Sequence, residues 1–546
     1  MKRTPLSLIA HFAGGELHGD DTMIDAVGND TRTLGSGSLY VALRGERFDG
    51  HDFAADAVAR GASGVLVERL LPTLGVPQVV VDDTELALAR IAAGLQRDRA
   101  TRVLALTGSN GKTSVKALLL AILTEAGRVD GTTVYATPGN RNNEIGLPLA
   151  VIAAPDDADF AVYEMGAGKP GDIAYLTDIA RPHVALVNNI APAHLERLGS
   201  LLGVAQTKGA IYAALPADGV AVINADDAFG AWFEQQLLAQ PVQGRRVLRF
   251  GLQASAEITA RGLRLHADGA HFTLVTPQGQ AQIALPLPGR HNVLNALAAT
   301  GLALGAGIAL PVIAAGLAQA RPVAGRQIAH RLPGGAMLID DSYNANPGSL
   351  DAAIDALAAA PGEGWLVLGD MRELGPEGAA LHAAAGRRAR AAKLQRLYAL
   401  GELSAAAAQA FGEGGRVFAT HAELAAALQA DLLEAGTDEA GTDEAGTRDP
   451  GPGTGEKQQQ SAAGSRDPGP GEKQQQASGN MQEHALIQQH PSQSAAALTG
   501  PGSRVPGPGF TASGPITLLI KGSRGSAMDR IVAALLAAAE DASHAA

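Results

Sequence analysis

The chain has 546 residues, 46% hydrophobic and 18% charged, with a formal net charge of −12 and no cysteine. That length implies several domains, three being the natural division. The missing cysteine excludes disulfides, thiolate metal sites and cysteine nucleophiles, and the acidic balance argues against non-specific nucleic-acid binding, which needs a basic face. The opening Met-Lys-Arg precedes a short apolar stretch broken by His11, so no signal peptide is expected. No uncharged run is long enough to span a membrane, and a cytoplasmic protein is the expectation.

Residues 1–85 mix short apolar runs with turns, at Leu39-Tyr-Val-Ala-Leu43, Gly64-Val-Leu-Val67 and Val79-Val-Val81, and read as a small N-terminal α/β domain. Charges gather around glycines at Asp30-Thr-Arg32 and at Leu43-Arg-Gly-Glu-Arg-Phe-Asp-Gly-His-Asp52. Arg44, Arg47 and His51 offer donors to a diphosphate, beside Asp49; the alternative is a solvated loop.

The region 86–315 carries the strongest motif. The apolar run Val103-Leu-Ala-Leu106 leads into Thr107-Gly-Ser-Asn-Gly-Lys-Thr-Ser-Val-Lys116 and then a helical apolar pattern. Strand, glycine loop and helix form a phosphate cradle. Gly108, Ser109, Asn110 and Gly111 supply the tight backbone, Lys112 reaches terminal phosphates, and the hydroxyls of Thr113 and Ser114 follow, with Thr113 suited to magnesium. Only Ser109 and Asn110 separate the first glycine from the Gly-Lys pair, two fewer than in the common loop. Further strands end at Glu164, at Asn188-Asn189 and at Asn224, which points to one crevice beyond their carboxyl ends.

Asn140, Asn142 and Asn143 lie in a turn-like stretch, as turn formers or as amides that grip peptide and sugar groups. Glu164 and His194 are candidate metal partners of Thr113, since magnesium takes oxygen ligands and keeps several waters; His194 reads equally as a structural histidine. Lys208 reads as a solvated helix lysine. His291, Asn292 and Asn295 open an Ala-rich helix near the crevice. An alternating pattern between Phe250 and Leu287 predicts a hairpin-containing side layer.

From 316 to 546 the pattern is again strand–helix, with strands at Met337–Ile339, Leu366–Leu368, Arg396–Leu400 and Thr517–Ile520. Parallel α/β folding follows for both larger domains, a central P-loop-type sheet and a Rossmann-like C-terminal one. Residues 436–512 repeat Gly-Thr-Asp-Glu-Ala and Arg-Asp-Pro-Gly-Pro-Gly units, and their composition predicts a disordered insertion. Arg326, in a loop, can meet a phosphate. Asp341, Tyr343, Asn344 and Asn346 follow a strand, and Lys521, Ser523 and Arg524 precede the last helix as a second anion site.

These segments together resemble the ATP-dependent Mur ligases of bacterial cell-wall synthesis. The resemblance covers nearly the whole chain outside 436–512. It rests on the short Gly-Ser-Asn-Gly-Lys-Thr loop, Asn142-Asn-Glu-Ile-Gly146, Leu186-Val-Asn-Asn-Ile190 with Ala193-His-Leu-Glu196, and Leu287-Pro-Gly-Arg-His-Asn292. Asp340-Asp-Ser-Tyr-Asn-Ala-Asn346, Leu368-Gly-Asp-Met371 and Lys521-Gly-Ser-Arg524 complete the set. The last stretches favour the branch that adds D-alanyl-D-alanine to UDP-N-acetylmuramoyl-tripeptide, over single-residue ligases and folate polyglutamate synthetases.

The resemblance implies ATP and Mg2+ in the central domain, with Lys112 on the phosphates and Thr113, Glu164, His194 and Lys208 serving the metals. It implies that Thr31, Arg32 and the Arg44–His51 loop hold the UDP end, and that the C-terminal residues contact nucleotide and incoming amine. A monomer without nucleic-acid partners is implied as well. Lys208 matches a position where many members carry a carbamylated lysine, although this chain has Lys208-Gly209-Ala210 where the family usually has Lys-Gly-Glu. A non-ligase P-loop ATPase or kinase and a non-catalytic binding protein are the readings from other classes.

Overall fold

In the computed structural model, residues 1–45, 47–238, 244–266, 268–440 and 515–545 are described. Three α/β domains follow one another, each built on its own sheet. In the first, strands Ala26–Gly28, Ser38–Val41, Ala62–Val67 and Gln78–Val80 run parallel, and Glu16–His18 pairs antiparallel at one edge.

The central sheet is fully parallel. Its order is Arg246–Phe250, Val220–Asn224, Val184–Val187, Arg102–Thr107, Phe160–Glu164, Val134–Ala136. The Arg102–Thr107 strand is interior, and five of its six residues are buried, as expected for a strand covered on both faces. Helices Lys112–Asp130 and Arg290–Gly305 pack on one face, Thr84–Arg97 and Leu201–Ala213 on the other, so that two apolar cores sandwich the sheet. The side layer expected between Phe250 and Leu287 is an antiparallel three-stranded sheet, Thr259–Leu265, Ala270–Thr276 and Gly279–Leu285.

In the third domain the order is Ile328–Arg331, Met337–Asp341, Ile516–Lys521, Glu363–Gly369, Arg396–Leu400, Gly415–Phe418, with only the first strand antiparallel. The strand that begins after residue 515 sits inside the sheet, between strands that precede 440. Asp340 and Asp341 are the last two residues of their strand rather than the start of the loop after it. The helix His421–Ala440 takes in residues 436–440, the first five of the expected insertion; residues 441–512 lie outside the described residues. Among the described residues no helix is long and apolar enough to cross a membrane.

The helix that carries Lys112 is seated by a close backbone approach. Helix Leu310–Ala318 crosses it at Gly316, where a Cβ would meet the Ile122 Cα at 2.5 Å. Adding atoms at such a contact forces backbone shifts. Gly316→Val should cost about 1–3 kcal/mol of unfolding free energy, measured by urea denaturation with an unchanged m-value; an unaltered midpoint would refute the close packing.

Candidate active site

Between strand Arg102–Thr107 and helix Lys112–Asp130 the chain turns through Gly108–Gly111. Gly111 is the helix N-cap in the left-handed region (φ 78°), and a Cβ there would lie 2.6 Å from both Asn188 Nδ2 and Asn295 Oδ1. Only glycine meets both demands. The loop is held from outside, by residues that leave the neighbouring strand Val184–Val187. Asn110 N–H donates to Asn189 Oδ1 (2.8 Å), while Asn188 and Asn189 amides donate to the Asn110 carbonyl (3.0 and 3.1 Å). Ser109 Oγ donates to the Ala191 carbonyl (3.0 Å) and accepts from the Ala191 N–H (2.9 Å).

The first turn of the loop's helix has no acidic residue, and Lys112 and Lys116 both sit near its N-terminus. Cations there oppose the helix dipole, so this end is built to receive an anion rather than for helix stability. Lys112 Nζ donates to the Gly108 carbonyl (2.7 Å), and burial lowers its pKa from the usual lysine value while Glu164 opposes that shift.

Thr113 Oγ1 donates to Glu164 Oε1 at 3.5 Å and accepts from Arg326 Nη2 at 3.1 Å. The Arg326 guanidinium stacks over Tyr343, 4.3 Å from the ring centre, a geometry that fixes its plane. Glu164, at the end of its strand, is 3% exposed; Asn142 Nδ2 donates to its Oε1 (3.1 Å), and its Oε2 makes no hydrogen bond. A buried carboxylate oxygen without a donor, next to a hydroxyl, is the oxygen-rich setting that a hard divalent cation prefers. Among the described residues, no three His, Asp or Glu side chains form a preformed metal cluster.

Three cavities that share lining residues lie around these groups. The first, of 470 Å³, is lined by Ser109, Asn110, Gly111, Lys112, Ser114, His291, Asn292, Asn295, Arg326, Asp341, Asn344, Asn346 and Lys521. The second, of 460 Å³, is lined by Lys112, Thr113, Asn140, Asn142, Asn143, Glu164, His194, Arg326, Tyr343, Asn344 and Arg524. Lys112, Arg326 and Asn344 therefore belong to both. The third, of 770 Å³, lies between the 26–38 stretch of the first domain and 140–149 of the second, and shares Asn140, Asn142 and Asn143 with the second cavity.

Other expected residues stand elsewhere. Gly108 shapes the loop without lining the first or second cavity, and Ser523 is buried, its Oγ donating to the Ala345 carbonyl (3.2 Å). Thr31 and Arg32 form a short 3-10 turn next to Asp30, which lines the third cavity; Arg32 is exposed and paired with Asp30 (2.7 Å). Arg44 pairs with Glu68 (2.9 Å), and Asp49, held at about 2 chiefly by the His51 backbone N–H, also faces Arg69 (3.5 Å). His51, expected as a diphosphate donor, is 4% exposed. Its Nδ1 meets Asp49 (2.5 Å) and its Nε2 accepts the Glu68 N–H (2.8 Å), so neither ring nitrogen is left for a ligand.

The expected metal set is only partly assembled. His194, at φ 53°, lines the second cavity with Glu164, but its Nδ1 is 2.5 Å from Glu373 Oε2 of the C-terminal domain. Lys208 is 1% exposed and lines neither cavity, which overturns its reading as a solvated lysine. Burial, followed by the charge of Lys112, pushes its pKa well below the usual lysine value.

Sequence reasoning passed over Lys116, Asp226, Asp227, Gln253 and Glu373. Asp226 accepts three backbone N–H groups from 252–254, which sets Gln253 in the first cavity, and Asp227 anchors the Ile190 N–H (2.8 Å). Asp226 and Asp227 follow the strand ending at Asn224, so the strand-end signal already pointed to them. The Asp341–Lys521 pair (2.5 Å) closes the C-terminal side, and Lys521 also donates to the Asn344 carbonyl (3.1 Å).

Comparison with known proteins accounts for this arrangement. Family models described as "Mur ligase family, catalytic domain", "Mur ligase middle domain" and "Mur ligase, glutamate ligase domain" match residues 23–96, 106–303 and 325–440. The UDP-N-acetylmuramoyl-tripeptide–D-alanyl-D-alanine ligase of Escherichia coli K12 is 46% identical over 410 residues, 75% of this chain and 88% of the relative. The Bacillus subtilis protein of the same name is 35% identical over 414 residues, 74% of this chain and 86% of the relative. A crystal structure of MurF from Acinetobacter baumannii superposes with a TM-score of 0.77 at 29% identity, over 98% of this chain and 100% of that one. MurF from Thermotoga maritima, solved with ADP, shares the fold at a TM-score of 0.69 and 22% identity, over 94% and 98% of the two chains. With a family model on each of its three domains and a relative 46% identical over 75% of its length, the chain belongs to the Mur ligase family.

Proposed function

We infer that the chain is an ATP-dependent ligase that joins D-alanyl-D-alanine to UDP-N-acetylmuramoyl-tripeptide in peptidoglycan precursor synthesis. The observation that carries this reading is the run of three cavities through shared residues. The first suits ATP, with its phosphates on the loop. The second suits the peptide carboxylate and incoming amine, and the third the UDP end, reached past Asn140, Asn142 and Asn143. Lys112 and Arg326, common to the first two, stand where a phosphoryl group would pass from nucleotide to peptide.

In this mechanism the tripeptide's terminal carboxylate attacks the γ-phosphorus of ATP, and ADP departs as an acyl phosphate forms. The amine of D-alanyl-D-alanine attacks the acyl carbon, loses a proton, and phosphate leaves. Lys112 and Arg326 supply fixed positive charge to the transferring oxygens, in a site where charge needs no reorganisation. The Asn140–Asn143 amides hold the peptide, and Tyr343 keeps the Arg326 plane in place. Asn346 Nδ2, which donates to Asn110 Oδ1 across the domain boundary (2.7 Å), helps the C-terminal domain close over the loop and exclude water from the acyl phosphate. Mg2+, held through Thr113 and Glu164 with His194 nearby, would neutralise phosphate charge when bound. Burial lowers the Lys208 pKa and so raises the share of free amine that CO2 carbamylates; the family resemblance reads the resulting carbamate as a further oxygen ligand.

Phosphate release with purified protein, ATP and Mg2+ should require both the UDP-linked tripeptide and D-alanyl-D-alanine; turnover without peptide would favour a plain ATPase. Lys112→Ala should lower kcat by at least about 10²–10³-fold, and ligation near the wild-type rate would refute the loop's role.

Lys208→Met should abolish ligation yet raise the melting temperature by roughly 2–4 °C, because an apolar side chain replaces a buried amine. The pH dependence has a definite sign. With its native pKa depressed, Lys208 binds fewer protons folded than unfolded, so its contribution to stability rises with pH up to the unfolded lysine value. Melting curves from pH 7 to 10 should show that rise in wild type and a flatter profile in Lys208→Met. A parallel pair of profiles would refute the depressed pKa of the buried amine.

A further inference from the structure

Lys116 lies one turn beyond Lys112 on the same helix, and nothing in the proposed chemistry uses it. It is 6% exposed, and its ammonium meets three partners on two other segments. Nζ donates to the Thr137 carbonyl (3.2 Å) and the Gly139 carbonyl (2.9 Å), and stands 3.4 Å from Glu164 Oε2. Two hydrogen bonds and one ion pair thus hold the ammonium. A surface lysine would gain little from one such contact, but here removal of the cation would leave the buried Oε2 of Glu164 without a counter-charge and two carbonyls without this donor.

The partners are not arbitrary. Thr137–Gly139 leads directly into the loop of Asn140, Asn142 and Asn143, and Asn142 in turn donates to the other oxygen of Glu164. The Thr137 hydroxyl accepts the Glu164 N–H (3.4 Å). Lys116 therefore joins the phosphate-loop helix, the asparagine loop and the Glu164 strand end at a single atom. Its charge also faces the one Glu164 oxygen that makes no hydrogen bond.

We propose that Lys116 is a positioning residue that fixes the Glu164 carboxylate, and with it the asparagine loop, for divalent-cation binding. This rests on the reading of Glu164 as a metal carboxylate. Outer groups that orient a ligating carboxylate change metal affinity by about 10–100-fold when removed.

The test is Mn2+ binding to the full-length protein with ADP, followed by electron paramagnetic resonance. Glu164→Gln is the control for the reading beneath, and Lys116→Met is the variant of interest. Lys116→Met should weaken Mn2+ binding about 10–100-fold and raise the KM for Mg2+ more than it lowers kcat at saturating Mg2+. Because the chain has no cysteine, Lys116→Cys offers a single site for alkylation with 2-bromoethylamine. Carried out in urea and followed by refolding, this restores a lysine-length ammonium, and Mn2+ affinity should return toward wild type taken through the same steps. If Lys116→Met does not fold, the comparison of Lys116→Cys with and without alkylation carries the measurement. Unchanged Mn2+ affinity in Glu164→Gln would overturn the metal reading itself. Weakened binding in Glu164→Gln with wild-type binding in Lys116→Met, or no recovery on alkylation, would overturn the role of Lys116.

Discussion

The hydrogen bonds between the Gly108–Gly111 loop and the strand end at Asn188–Asn189 are the constraint on which the site depends. A glycine loop has few conformational restraints of its own, and its N–H groups converge on an anion only if something fixes them. Here the fixing comes from the adjacent parallel strand, whose register against Arg102–Thr107 sets where Asn188 and Asn189 emerge. Asn188 also reaches Asn295 on the helix after the side sheet, at 3.1 Å. Loop, strand end and helix start are thus placed by the sheet itself. This is the reason that ligands in such folds collect beyond the carboxyl ends of strands.

The same loop is where the C-terminal domain makes contact. Arg326 reaches Thr113, and Asn346 reaches Asn110. On the other side of the cleft His194 reaches Glu373, with both residues at positive φ. Non-glycine residues in that region carry a strain that surrounding structure must offset, and such residues gather at working sites. The three contacts connect the second and third domains through groups that also line the cavities. The cavities and these interdomain contacts therefore share side chains, so a ligand in the cleft would compete with or complete the contacts.

The parts of this arrangement that were legible in the sequence are those written locally. The phosphate loop, the strand ends at Glu164 and Asn188, and the helix start at Asn292 are runs in which residue type and periodicity agree. The misreadings share a physical cause. His51 looked like a loop ligand because its neighbours are charged, but its fate was decided by Glu68, seventeen residues on, whose backbone N–H takes the free nitrogen. Lys208 looked solvated because lysine usually is; only the packing of its helix against the sheet makes it 1% exposed. Lys116 has the same history, since its partners lie 21 to 48 positions away. Burial of a polar group is a tertiary property, and local pattern does not carry it.

The lysines around the loop have a joint consequence. Lys116 and Lys208 are buried around the loop, the half-buried Lys112 and Arg326 line the cavities beside it, and Glu164 answers Lys116 directly. Withdrawing like charges from solvent costs free energy unless a counter-charge is supplied. The protein limits that cost in two ways, by depressing the pKa of Lys112 and Lys208 through burial and by spending Lys116 on three oxygens. What remains is an unbalanced positive potential at the N-terminus of a helix whose dipole adds to it. A bound anion would lower that potential and favour the charged form of Lys112, opposite to the shift that burial gives it.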